Sequence, residues 1–211
     1  GENEFVTVHH TQHSGHRIYI NRWSFDGTDT VTRTGGENQV SSGTSHNYQP
    51  QGVMLKDGKY VVVWHGYNLG GSGYHNYDVG IKMYSGSGIT EFTPNQSTRN
   101  GNEFRANSYT SNHQHSPDIA ALPDGGFVVV WEGYCSGGSG HDILMRVFNA
   151  DGSARTDEVK VNEYISGNQQ WAKVSASPDG NFDIVWQSSG IDSDGNAIVM
   201  QRYDENADPI G

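Results

Sequence analysis

One octapeptide pattern returns along this chain and fixes most of what the chain can fold into. Asp57-Gly58-Lys59-Tyr60-Val61-Val62-Val63-Trp64, Asp124-Gly125-Gly126-Phe127-Val128-Val129-Val130-Trp131 and Asp179-Gly180-Asn181-Phe182-Asp183-Ile184-Val185-Trp186 align residue for residue. Glu2-Asn3-Glu4-Phe5-Val6-Thr7-Val8-His9 is a fainter copy, with His9 at the Trp position. Successive copies stand 55, 67 and 55 residues apart. The longer middle interval predicts an inserted loop near 86–99, a stretch rich in Ser, Gly, Thr and Asn.

The parts of each unit follow one order. A short strand such as Asp118-Ile119-Ala120-Ala121-Leu122 leads into an Asp-Gly turn, a strong hairpin signal. The Val-rich strand ending in Trp comes next, then a Gly-rich loop such as 133–140. Ile143-Leu144-Met145-Arg146-Val147-Phe148 follows, matched by Ile198-Val199-Met200-Gln201-Arg202-Tyr203. A second turn at Asp151-Gly152 precedes Glu158-Val159-Lys160-Val161-Asn162, and a polar segment holding Gln169 (Gln114 and Asn47 elsewhere) closes the unit. No segment keeps a 3.6-residue period, so essentially no helix is expected. Runs that are apolar on both faces belong to strands covered on both sides. Four-stranded sheets stacked face to face in this way are propeller blades. The expectation is therefore an all-β, β-propeller-like array of about four four-stranded repeats, 1–47, 48–113, 114–168 and 169–211. A β-sandwich of paired repeats or a fragment of a longer array are the alternatives. The first copy lacks its leading strand, and the last stops before its final one.

Charge and cysteine content narrow the function classes. The net charge is −11, which argues against nucleic acid as a partner and against docking on an anionic lipid surface. Cys135 is the single cysteine, so no intramolecular disulfide can form. No apolar run is long enough to span a membrane as a helix. The opening residues Gly1-Glu2-Asn3-Glu4 read as an internal start, and the chain is expected to be part of a larger multidomain protein.

The phrase Asp-Gly-Gly-Phe-Val-Val-Val-Trp, the Gly/Ser/Asp loops, Gln201-Arg202-Tyr203-Asp204 and Glu158-Val159-Lys160-Val161-Asn162 together resemble a repeat of large secreted bacterial RTX-type, calcium-dependent adhesins and related surface proteins. The resemblance covers nearly the whole chain. It implies a secreted or cell-surface location, a calcium-rich exterior, and service as a structural or ligand-binding module.

Several groups of residues are placed to carry such a role. His65-Gly66-Tyr67, Glu132-Gly133-Tyr134 and Gln187-Ser188-Ser189 fall just after the Trp strands, at equivalent places on one mouth of the array. Polar groups beside Tyr on a Gly-rich rim suit a glycan or an extended peptide. Ligand contacts are thus expected from His65, Tyr67, Glu132, Tyr134, Gln187 and Trp171. Trp171 stands where other copies have Gln49 and Ser116, and reads either as a local core filler or as an exposed stacking platform. Asp192, Asp194 and Asn196 offer oxygens at alternate positions, as calcium requires, and Asp78 and Asp142 precede the corresponding strand in their repeats. An ordinary turn explains the same residues. His9, His10, His13 and His16 crowd the start of the chain without matching a metal motif. No nucleophile elbow, phosphate loop or His-Glu-x-x-His motif occurs, and Glu132 is the best single acid for glycoside hydrolysis. The reading favoured is a non-catalytic adhesin module that recognises a glycan or peptide. A ligand-free structural spacer and a glycoside hydrolase-like enzyme are the rivals.

Overall fold

The computed structural model describes residues 4–12, 15–28, 30–42, 46–67, 69, 76–86, 90–98, 102–134, 140–192 and 194–211. Cys135, His13, Ser193 and the centre of the 133–140 loop lie outside the described residues.

Seventeen strands form four antiparallel sheets, and no α-helix occurs among the described residues. The first sheet holds β1 (Glu4–Thr11), β2 (Arg17–Phe25), β3 (Val31–Arg33) and β4 (Asn38–Gln39). The second holds β5 (Asn47–Met54), β6 (Tyr60–Tyr67), β7 (Tyr77–Ser85), β8 (Thr90–Glu91) and β9 (Phe104–Arg105). The third holds β10 (Gln114–Ala121), β11 (Phe127–Gly133), β12 (Asp142–Phe148) and β13 (Val159–Lys160). The fourth holds β14 (Gln169–Ala176), β15 (Phe182–Ser189), β16 (Asn196–Tyr203) and β17 (Pro209–Ile210). Each sheet pairs its strands in chain order, with β4 and β9 adding to β2 and β7. This is a propeller-like array of four sheets, as the repeat predicts.

Turn chemistry sets the hairpins. In the three clear repeats the Asp carboxylate accepts the N–H two residues on, and the following Gly takes φ of +83, +101 and +96° at Gly58, Gly125 and Gly180. A side chain with a Cβ would be strained in that left-handed conformation.

Stacking of the sheets supplies the core. Val61, Val63, Ile81 and Met83 of the second sheet pack on Phe127, Val129 and Trp131 of the third. The opposite face of the third, with Val128, Val130, Ile143 and Met145, packs on Phe182, Ile184 and Trp186 of the fourth. Trp64 faces Ile18 and Ile20 of the first. Every repeat Trp thus fills the space toward the preceding sheet. Each indole N–H also finds an acceptor 17 residues upstream: Trp64 on Asn47, Trp131 on Gln114 and Trp186 on Gln169, at 3.1, 3.0 and 3.2 Å. Gly133 is required beside this bond, because a Cβ there would collide with the Gln114 amide oxygen.

The insertion near 86–99 has a packing role. The Asn95 backbone N–H donates to the Asp151 carbonyl at 2.8 Å, and its side chain donates to the Asp151 carboxylate at 3.0 Å. The longer interval therefore ties the second sheet to the Asp151-Gly152 turn of the third. No helix among the described residues is long and apolar enough to cross a membrane.

Candidate functional site

The leading strands β5, β10 and β14 pack against one another in turn, which puts them innermost in the array. Each carries a bulge at the same place, where the pairing register slips: between Tyr48 and Gln51, His115 and Asp118, and Gln170 and Lys173. Gln49, Ser116 and Trp171 sit in these bulges with φ of +50, +53 and +57°. A left-handed residue of this kind stores of order 1–3 kcal/mol of strain. Its effect here is to turn a backbone N–H toward the preceding sheet. The Ser116 N–H points at His65 Nδ1, at 3.4 Å, and the Trp171 N–H donates to Glu132 Oε1 at 2.6 Å.

An open cleft of about 480 Å³ lies over this point, lined by Tyr48, Gln49, His65, Tyr77, His113, His115, Ser116, Tyr134 and His141. A second hollow of about 310 Å³ shares Gln49 and Ser116 with it and runs on to Trp171 and Lys173. Aromatic and imidazole rings pave the cleft in continuous contact. Tyr48 meets His16 and His65, Tyr77 meets His65 and His113, His115 meets His141, and Tyr134 meets His141 edge-on at 4.3 Å between centroids. A narrower apolar cleft of about 250 Å³ between the first two sheets has Glu4 and Arg22 paired with each other at its edge.

Glu132 is 1% exposed and lies behind the cleft lining, against His115 and His141. Burial pushes its carboxyl above the usual carboxylate range, against the Trp171 N–H, the His141 imidazole and the Ser116 hydroxyl, which favour the charged form. Oε2 faces Nδ1 of His115 at 3.5 Å and Nδ1 of His141 at 3.6 Å. Among the described residues, His115, Glu132 and His141 are the one group of three His, Cys, Asp or Glu side chains close enough to share a metal ion. Burial lowers His115 to about 4 and His65 to about 3, so both rings are neutral near pH 7.

Of the residues singled out from sequence, His65 and Tyr134 line this cleft, and Glu132 lies behind it against His115. Tyr67 is on its edge, packed against Tyr77 and His46. Trp171 is 63% exposed, which excludes the core-filler reading, and its backbone rather than its ring touches Glu132. Gln187 lies in the fourth sheet opposite Gln170 and Ile198, away from the cleft lining.

The oxygen donors assigned to calcium are dispersed. Asp192 and Asp194 form an exposed turn in which Asp192 Oδ1 accepts the Asp194 N–H at 3.0 Å, and Asn196 opens β16 beside it. Asp78 and Asp142 are buried in separate sheets. Each accepts a hydrogen bond from an Asn, Asn107 at 2.7 Å and Asn162 at 2.8 Å. Those Asn side chains in turn accept the N–H of Val79 and Ile143, which locks the outer segment of each sheet to its neighbour strand.

His115, His141, His113, Tyr48 and Tyr77 were not singled out from sequence. Their signal was present: His115 directly follows the repeat amide Gln114, and His141 and Tyr77 directly precede the repeat acids Asp142 and Asp78. Alternation along the strands turns these neighbours to the mouth.

No protein-family model matches the chain, and no curated protein sequence matches it. Solved structures do. An endo-arabinase from Bacteroides thetaiotaomicron aligns with a TM-score of 0.52 at 13% identity, over 100% of this chain and 81% of that one. A thermostable family-43 glycoside hydrolase gives 0.51 at 11%, over 96% and 73%. A family-43 endo-arabinanase from Bacillus licheniformis gives 0.50 at 12%, over 98% and 73%. The fold is similar to that of family-43 glycoside hydrolases.

Two expectations are corrected by this. The resemblance to RTX-type adhesin repeats does not hold, because the structures that share the fold are glycoside hydrolase propellers. The Asp-Gly-x-Phe-Val-Val-Val-Trp pattern encodes a hairpin and a stacking face, and both are indifferent to what the array does. The expectation of a non-catalytic module loses its support as well: the solved structures that share the fold are those of enzymes. The cluster around Glu132 is assembled from β10, β11 and the residue before β12, and it has no contiguous signature.

Proposed function

We propose that this chain is a glycan-acting hydrolase module, with the cleft over Glu132 as its substrate site. The observation that carries the reading is Glu132 itself: a fully buried carboxyl, raised by desolvation, under an open cleft paved with tyrosine and imidazole rings. A perturbed acid in a concave site is where catalysis is expected. Aromatic rings stack on sugar faces, and the imidazoles and Tyr hydroxyls supply hydrogen bonds. Trp171, exposed at the end of the adjoining hollow, extends the platform for a longer chain. The similarity to arabinan-acting enzymes makes arabinan the first polymer to try.

The test is turnover of arabinan and of a panel of chromogenic aryl glycosides by the wild-type chain and by Glu132→Gln. Wild type should release product, and the variant should lose about 10²–10⁴-fold in rate, the usual contribution of a positioned acid or base. Trp171→Ala should raise KM for the polymer and leave short aryl glycosides unaffected. Equal rates for wild type and Glu132→Gln, or no turnover and no saturable binding of any saccharide, would sink the proposal.

A further inference from the structure

We infer that His115, Glu132 and His141 form a binding site for one zinc-type divalent cation, with an open coordination position facing the cleft. One ligating atom from each residue lies within 4.8 Å of the others. Glu132 Oε2 stands 3.5 and 3.6 Å from the two Nδ1 atoms. Those separations are too long for direct hydrogen bonds. They are close to the roughly 3.3 Å between neighbouring donors that metal bonds of about 2.0–2.1 Å give in a tetrahedron.

A second observation points the same way. His141 Nδ1 is buried and makes no hydrogen bond of ordinary length, facing only the Glu132 carboxylate at 3.6 Å. A buried nitrogen left in that state is destabilising unless something binds it. It is aimed at a carboxylate that is itself 1% exposed and whose other oxygen is already fixed by the Trp171 N–H. That bond orients the carboxylate from behind, as outer partners do in metal sites. The Ser116 hydroxyl lies 3.1 Å from this same His115 Nδ1, a contact the nitrogen gives up when it binds a cation.

The donor set selects the ion. Two imidazoles and one carboxylate suit zinc and its first-row neighbours, whereas calcium and magnesium take oxygen ligands. Three protein ligands leave a fourth position, and the exposed side of the cluster is the cleft. A water or a substrate oxygen bound there would be polarised by the cation. A Glu132 that holds the cation would be ionised and would not itself serve as the acid of the proposed hydrolysis, so the two readings of this residue are separate.

The experiment is calorimetric titration of the chelator-stripped full chain with zinc, calcium and magnesium in the absence of saccharide, so that a failure of glycan turnover has no bearing on it. One zinc per chain should bind, with calcium and magnesium much weaker. His115→Ala and His141→Ala should each weaken zinc by at least about 100-fold, beyond the 10–100-fold seen for outer partners. His113→Ala, a cleft histidine outside the cluster, should change the affinity less than about twofold by the same reasoning. Circular dichroism checks that each variant folds. Should either alanine variant fail to fold, cobalt loading of the wild-type chain decides instead: intense visible absorption of a tetrahedral site, displaced by zinc, supports the assignment. Absence of zinc uptake, uptake undiminished in the two alanine variants, or only the weak spectrum of octahedral cobalt overturns it.

Discussion

Met145 and Met200 hold the same place in the third and fourth sheets, yet one is fully buried and the other is 60% exposed. Their neighbours Ile143 and Ile198 differ in the same way, at 0% and 74%. Nothing local separates them. The hairpins, the Trp-to-amide bonds and the bulges are alike in both sheets. The difference is that the third sheet lies between two others, whereas among the described residues the apolar clusters cover only one face of the fourth. Local sequence makes the blade, and stacking decides which of its faces is interior.

The sharpest way to break this comparison is at the tryptophans, which face the preceding sheet in both cases. Trp131→Ala and Trp186→Ala should each destabilise by about 3–5 kcal/mol, as large-to-small changes at buried aromatics do. Each also strips a buried amide oxygen of its indole donor. Urea unfolding monitored by far-UV circular dichroism measures both. A near-neutral Trp186→Ala would mean that the fourth sheet is not docked on the third.

The other face should behave in the opposite manner. Met145→Ala is expected to destabilise by about 2–5 kcal/mol, and Met200→Ala to stay within about 0.5 kcal/mol of wild type. The same unfolding assay checks both variants. Equal losses at the two positions would show that the outer face of the fourth sheet is covered in solution.

The same division governs how much could be read from sequence. Val-Val-Val-Trp, the Asp-Gly turns and the recurring Gln or Asn are local signals, and they specify strands, hairpins and a stacked array directly. His65 and Tyr134 were legible as cleft residues, and Glu132 as their neighbour, because each holds a fixed offset from its Trp. Glu132 gains its meaning only from His115 and His141, which arrive from a different strand and a different loop. Their proximity depends on the bulge at Ser116, and a single polar residue in a strand does not announce a left-handed conformation. Asp78 and Asp142 show the reverse case. Their recurrence was visible, but the Asn107 and Asn162 partners that explain it lie 29 and 20 residues away across an outer segment.

The smallest effect concerns how the second and third sheets are tied at the rim. Hydrogen bonds from the Ser153 hydroxyl and N–H hold the Asp151 carboxyl below its ordinary range, with Asn95 of the inserted segment adding to them. A folded pKa below the unfolded value makes the charged form a source of stability above the unfolded pKa, lost as pH falls through the folded one. Asp151→Asn should therefore lower stability slightly near pH 7, by no more than a few tenths of a kcal/mol at this solvent-screened site. The gap should close in strong acid, where the wild-type carboxyl is also protonated. Thermal unfolding of the two proteins from pH 7 down to below the ordinary Asp range measures it. A gap that widens on acidification would show that the Asn95 contact acts through packing of the insertion, and that charge at Asp151 has no part in joining the two sheets.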